Sequence, residues 1–156
     1  MTRTTNQAPA CFSCLRPEDV RTGLFAPDKT IAIRMAGEQL VLRGCVEASY
    51  IDAMLAREEV VTTYIGEGVA IPHGVGTAKQ FIKKTGLAVL QFPDGVPFGD
   101  EKAYLVVGIA GLEEEHLPIL QALATIMLDE DRIEAIKHST NAKFIYESLL
   151  SGGFED

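Results

Sequence analysis

Between Ala103 and Ala110 the chain is almost continuously apolar, with Tyr104, Leu105, Val106, Val107 and Ile109 along the run. A strand with one face in water alternates polar and apolar residues, whereas a strand apolar at nearly every position is covered on both faces. The run therefore predicts a buried central strand with a layer above it and another below.

The flanking sequence supplies those layers. After Pro27, Asp28 is a helix cap. Ile31, Ile33, Met35, Ala36, Leu40 and Val41 follow as apolar positions, with Gly44 as the stop. A second helix is expected from about Ser49, with Ile51, Met54 and Leu55 on its inner face and Arg57, Glu58 and Glu59 near its end. The β-branched run Val60 to Ile65 then reads as strand. It is interrupted by Gly66-Glu67-Gly68, resumes at Val69-Ala70-Ile71 and stops at Pro72-His73-Gly74. Gly86 to Phe92 is a third strand candidate, closed by the turn signal Pro93-Asp94-Gly95. Three helices are expected over 118–128, 131–137 and 141–150. Strands in the middle with helices on either side predict an α/β protein: a mixed β-sheet flanked by helices on both faces, in a single domain. Residues 1–15 show no periodicity and are expected to form a flexible N-terminal arm, leaving 16–156 as the domain.

The formal net charge is −8, from 22 acidic and 14 basic residues. That is the wrong sign for a nucleic-acid footprint and suits basic protein partners. No apolar run is long enough to enter a membrane, and Met1 to Pro9 lacks the apolar core of a secretory signal, so a cytoplasmic location is expected. The three cysteines do not form a disulfide framework. Cys11-Phe12-Ser13-Cys14 has redox or half-zinc spacing, but no second ligand pair follows it.

Three histidines remain as candidates for chemistry. His73 follows a strand and a proline and precedes a glycine. Pro72 fixes the backbone ahead of it, and Gly74 lets the chain turn away. A largely uncharged imidazole at a sheet lip is a competent nucleophile. A strand-end histidine bonded to a backbone carbonyl is an equally open reading. His116 sits where the buried strand hands over to a helix, with Pro118 in the expected first turn. It can meet His73 if their strands are neighbours, and the backbone N–H groups there can hold an anion. His138, at a helix end, is read as structural. Arg57 closes the helix before the strand that leads to His73 and offers a phosphate-binding fork. Pairing with Glu58 or Glu59 is its ordinary alternative. Glu67, between two glycines, marks a shaped turn.

Tyr64-Ile65-Gly66-Glu67-Gly68-Val69-Ala70-Ile71-Pro72-His73-Gly74 resembles the active-site segment of the enzyme IIA components of bacterial sugar phosphotransferase systems, and most of all the mannitol-type members of the mannitol/fructose family. Lys84 to Val96, Leu105 to Gly111 with Glu115-His116-Leu117, and Arg57 to Thr63 are similar to further segments of that family, so the resemblance covers roughly residues 16 to 151. It implies a phosphotransferase component that takes a phosphoryl group from the phosphocarrier protein HPr and passes it to a mannitol-type IIB component. With no IIB-like or membrane region in the sequence, that IIB is expected on a separate chain. By the same resemblance His73 is the phosphorylated residue, with Nε2 as its nucleophile, and His116 and Arg57 stabilise the phosphoryl group. Glu67 falls where some members carry an acidic residue and others asparagine. No cofactor and no metal are implied. An apolar rim is expected around an accessible His73. A nitrogen-type regulatory IIA, which reports its phosphorylation state to other proteins, is the alternative function. A metal-dependent hydrolase using His73 and His116 is a more distant third, because it lacks a carboxylate-rich ligand set at familiar spacing.

Overall fold

A computed structural model describes residues 14–152. Most of the expected N-terminal arm, Cys11 included, lies outside the described residues. Leu15, assigned to that arm from the sequence, is buried in the core.

The sheet has five strands: β1 (Val20–Arg21), β2 (Tyr64–Gly66), β3 (Val69–Ala70), β4 (Gly86–Phe98) and β5 (Glu101–Ala110). Their order is β1-β4-β5-β3-β2. The β1–β4 and β3–β5 pairs are parallel, and the β2–β3 and β4–β5 pairs are antiparallel, so the sheet is mixed. The helices are α1 (Lys29–Leu42), α2 (Ser49–Val60), α3 (Glu113–Met127), α4 (Glu130–Lys137) and α5 (Ala142–Gly152). Both faces of the sheet are covered, as the apolar run requires. Ala88, Leu90, Phe92, Val106 and Ala110 pack into one core with α1 and α2. Leu87, Val89, Leu105, Val107 and Ile109 pack into the other with α3, α4 and α5.

Local chemistry explains where the elements begin and end, and where they depart from the sequence reading. Asp28 caps α1, its carboxylate accepting from Ile31 N at 3.0 Å, which is worth about 1 kcal/mol. The β-branched run does not become strand at Val60, because α2 continues through it. Beyond the helix the chain folds back onto buried Glu58, whose carboxylate accepts from Thr63 N (2.8 Å), Thr63 Oγ1 (2.7 Å) and Thr62 Oγ1 (2.6 Å). Lys29 Nζ reaches the same carboxylate at 3.2 Å and ties the start of α1 to the end of α2. The inner face of α2 is Tyr50, Met54 and Glu58, with Ile51 and Leu55 only half-buried.

Pro93-Asp94-Gly95 does not end β4. Gln91 pairs with Leu105 and Val96 with Ala103, so β4 carries three extra residues there and bulges. A proline without an N–H fits such a bulge, and the hairpin closes later, at Gly99-Asp100. Helix α3 starts at Glu113, five residues before Pro118, which therefore lies inside it. Glu114 and Glu115 in the first turn favour that start, since carboxylates are stabilised at a helix N-terminus.

Candidate phosphoryl-transfer site

Strand β3 leaves the sheet through Ile71-Pro72-His73 without losing contact with β5. Ile109 N donates to Pro72 O at 2.9 Å, and His73 still pairs in parallel with Ile109. Because the two strands are parallel, the chain beyond β3 and the chain beyond β5 emerge at the same end of the sheet. The first carries His73 and the second His116. Their ring centroids stand 5.2 Å apart at 57°.

His73 Nδ1 lies 2.6 Å from the carbonyl oxygen of Ile71. A carbonyl only accepts, so Nδ1 carries the proton and Nε2 the lone pair. One nitrogen is thus bonded to the backbone, as the strand-end reading expects, and the two readings are compatible because the other nitrogen keeps its lone pair. The residue is 8% exposed, more enclosed than the neighbouring glycine suggests. Burial is the chief cause that holds its pKa below the ordinary 6.5, and the positive charges of Arg57 and Lys79 act in the same direction. The Ile71 hydrogen bond and Glu58 oppose them. The imidazole is thus uncharged near neutral pH.

His116 lies in the first turn of α3, where its N–H donates to Leu112 O at 3.0 Å. Its close seat depends on Gly111. A Cβ there would come within 2.8 Å of His116 Cα and 3.0 Å of its Nδ1. Arg57 approaches from the opposite layer, in the last turn of α2. Its expected partner Glu58 is committed to Thr62, Thr63 and Lys29, and no ion pair among the described residues involves Arg57. Its Nε is buried with no hydrogen-bond partner among those residues. A guanidinium held this way is suited to an anionic ligand.

Two supporting residues escape sequence reasoning. Tyr50 is fully buried, and its hydroxyl donates to Ile109 O and accepts from Gly74 N, both at 2.8 Å. It thereby joins the residue after His73 to the strand beside it. Gly74 must lack a side chain, because a Cβ would meet Tyr50 Cε1 at 2.9 Å. The available signal was the spacing of Tyr50, Met54 and Arg57 at i, i+4 and i+7, which places them on one helix face. Lys79 follows in the short 3-10 helix Gly76–Phe81, its Nζ donating to Gly111 O at 3.3 Å.

Glu67 is not brought to this site. It sits at the opposite end of β3, at φ 54°, beside a groove with Tyr104, Lys102 and Lys137. The strand between it and His73 spans on the order of 20 Å. His138 caps α4 away from His73, within 3.4 Å of Glu134 and against the Tyr104 ring. Exposed apolar residues do flank the site residues: Val75 (46%) next to Gly74, and Leu117 (59%) next to His116. A groove of about 370 Å³ beside Arg57 is lined by Ala53, Val60, Val75 and Phe81. Among the described residues no three His, Cys, Asp or Glu side chains gather as a metal-ligand set, and no helix is long and apolar enough to cross a membrane.

Comparison with known proteins bears on the family and the fold. Residues 13–152 match the family model described as phosphoenolpyruvate-dependent sugar phosphotransferase system, EIIA 2. The mannitol-specific phosphotransferase enzyme IIA component of Geobacillus stearothermophilus is 44% identical over 133 residues, covering 84% of this chain and 92% of that protein. The mannitol-specific EIICBA component of Escherichia coli K12 is also 44% identical, over 88% of this chain. The chain spans only 22% of that longer protein. Among solved structures, the Escherichia coli complex of enzyme IIA mannitol with phosphorylated enzyme IIB mannitol superposes with a TM-score of 0.81, at 41% identity, over 86% of this chain and 97% of that one. With a lone-pair imidazole, a second histidine and an uncommitted arginine converging at one sheet end, this chain belongs to the enzyme IIA family of phosphoenolpyruvate-dependent sugar phosphotransferase systems.

Proposed function

We propose that this chain is a mannitol-type phosphoryl carrier that takes a phosphoryl group from phospho-HPr onto His73 Nε2 and passes it to a IIB component, in the cytoplasm. The observation that carries the reading is the 2.6 Å bond from His73 Nδ1 to Ile71 O, which leaves the lone pair on Nε2. In the first step Nε2 attacks the phosphorus of the donor phosphohistidine in line. The P–N bond to the donor breaks as the new P–Nε2 bond forms. The donor imidazole leaves with the electron pair. The proton on His73 Nδ1 stays there throughout, hydrogen-bonded to Ile71 O, so no proton has to move at the acceptor. Charge on the three equatorial oxygens of the loose transition state is met by Arg57 from one layer and His116 from the other. The second step runs the same geometry in reverse toward the IIB nucleophile. Val75, Leu112 and Leu117 supply apolar rim for transient docking, and the acidic chain suits a basic partner.

The test is intact mass after incubation with phosphoenolpyruvate, enzyme I and HPr, followed by addition of a mannitol-type IIB. The expected result is one acid-labile phosphate on the wild type, none on His73→Ala, and transfer to IIB. An unphosphorylated wild type with active donors would sink the carrier reading. Phosphorylation without transfer to IIB would favour a regulatory role.

A further inference from the structure

We propose that Lys79 is a further phosphoryl-binding residue of this site, its ammonium contacting an equatorial oxygen of the group carried by His73. The inference rests on the phosphoryl-carrier reading and adds a third donor to it.

Lys79 is placed by the turn that directly follows His73. Ala78 N donates to Val75 O and Ile82 N to Lys79 O, and Ala78 is buried, so the turn is fixed against the core. From there the Lys79 side chain spans to the other half of the site. Its Nζ meets the carbonyl of Gly111, the residue whose α-carbon packs against His116. The ammonium therefore bridges the same two chain segments that carry the two histidines.

Three further observations make this bridge more than a structural tie. The bond to Gly111 is long, at 3.3 Å, and uses one of three N–H donors. No ion pair among the described residues involves Lys79, although the chain carries 22 acidic residues. Its charge is also felt at the His73 imidazole, beside that of Arg57. A half-buried ammonium with donors to spare and no carboxylate lacks its natural counter-ion. A phosphoryl group on Nε2 supplies one. Arg57, His116 and Lys79 then approach from three different elements, one donor for each equatorial oxygen.

The test uses phosphoramidate as a donor, so that no carrier protein is needed. Nε2 of His73 forms its bond to phosphorus as the P–N bond of the donor breaks, and the nitrogen leaves as ammonia after taking a proton from water. Wild type, Lys79→Gln and Lys79→Arg are compared by intact mass over time and by the His73 titration followed by NMR. Loss of a hydrogen bond to a charged group predicts that Lys79→Gln forms phosphohistidine about ten- to a hundred-fold more slowly. Its His73 pKa should rise while its melting temperature holds, and Lys79→Arg should recover most of the rate. A Lys79→Gln rate within two-fold of wild type overturns the inference. So does a Lys79→Arg variant as slow as Lys79→Gln, or a wild type inert to phosphoramidate. A wild type that reacts with phosphoramidate but not with phospho-HPr would instead overturn the carrier reading, and Lys79 would still be judged by its own variants.

Discussion

Replacing Tyr50 with Phe isolates two hydrogen bonds from everything else the residue does. The ring remains and no cavity opens, so the packing of the α1–α2 core is kept. What disappears is one oxygen that accepts from Gly74 N and donates to Ile109 O, both at 2.8 Å in a fully buried setting. Gly74 is buried as well, so its N–H has no water to turn to. An orphaned buried donor costs about 1–3 kcal/mol, and loss of the bond to the Ile109 carbonyl adds about 0.5–1.5 kcal/mol. The sum is about 1.5–4.5 kcal/mol, which for a domain of this size lowers the melting temperature by roughly 3–18 °C. Urea unfolding of Tyr50→Phe should show the midpoint shift with an unchanged slope. Phosphorylation of His73 should slow as well, because the segment that carries it loses its tie to β5. A loss of stability below about 0.5 kcal/mol would refute the reasoning, since it would mean that Gly74 finds another partner at no cost.

Other perturbations follow from the same geometry. Gly111→Ala puts a methyl within 2.8 Å of backbone that cannot rotate away. It should destabilise by about 1–3 kcal/mol and cut the phosphorylation rate, and a variant equal to wild type in both would contradict the close seat of His116. The pKa of His73 is lowered in the fold, so the unfolded chain binds the proton more readily. Its contribution is complete above the ordinary value of 6.5 and is lost as the pH falls from there toward the folded value. Wild type minus His73→Gln stability, measured by urea unfolding from pH 5 to 8, should rise with pH; a falling difference would reverse the assignment. Glu67→Gln should leave transfer to His73 within two-fold of wild type, because Glu67 sits at the far end of β3. A large loss in a steady-state phosphorylation assay would show that this end also meets the donor.

What the sequence disclosed and what it hid divide along a physical line. The buried strand over 103–110, the Asp28 cap and the His73 turn are encoded in neighbouring residues, and each is where the residues place it. Val60 to Thr63 misled because β-branching is a weak preference, and four hydrogen-bond donors gathered on Glu58 override it. Pro93-Asp94-Gly95 has the composition of a turn, and only the pairing with Ala103 and Leu105 makes it a bulge. Arg57 could be suspected from its place at a helix end, but the absence of an ion-pair partner for it among the described residues depends on where Glu58 spends its oxygens. Tyr50 and Lys79 act through Ile109 and Gly111, respectively 59 and 32 positions away along the chain, and no local pattern reports contacts of that range.

The parallel pairing of β3 with β5 also bears on when the protein becomes competent. Val69 meets Leu105 across a loop of more than thirty residues that contains all of β4. Long-range parallel pairing is entropically costly and forms slowly, after local helices and the β4–β5 hairpin. Until it closes, His73 and His116 belong to separate pieces of chain. A nascent or partly unfolded molecule thus carries the whole active-site peptide and yet offers a donor no assembled pair of imidazoles. On the carrier reading proposed above, uptake of phosphate onto His73 would report completed topology.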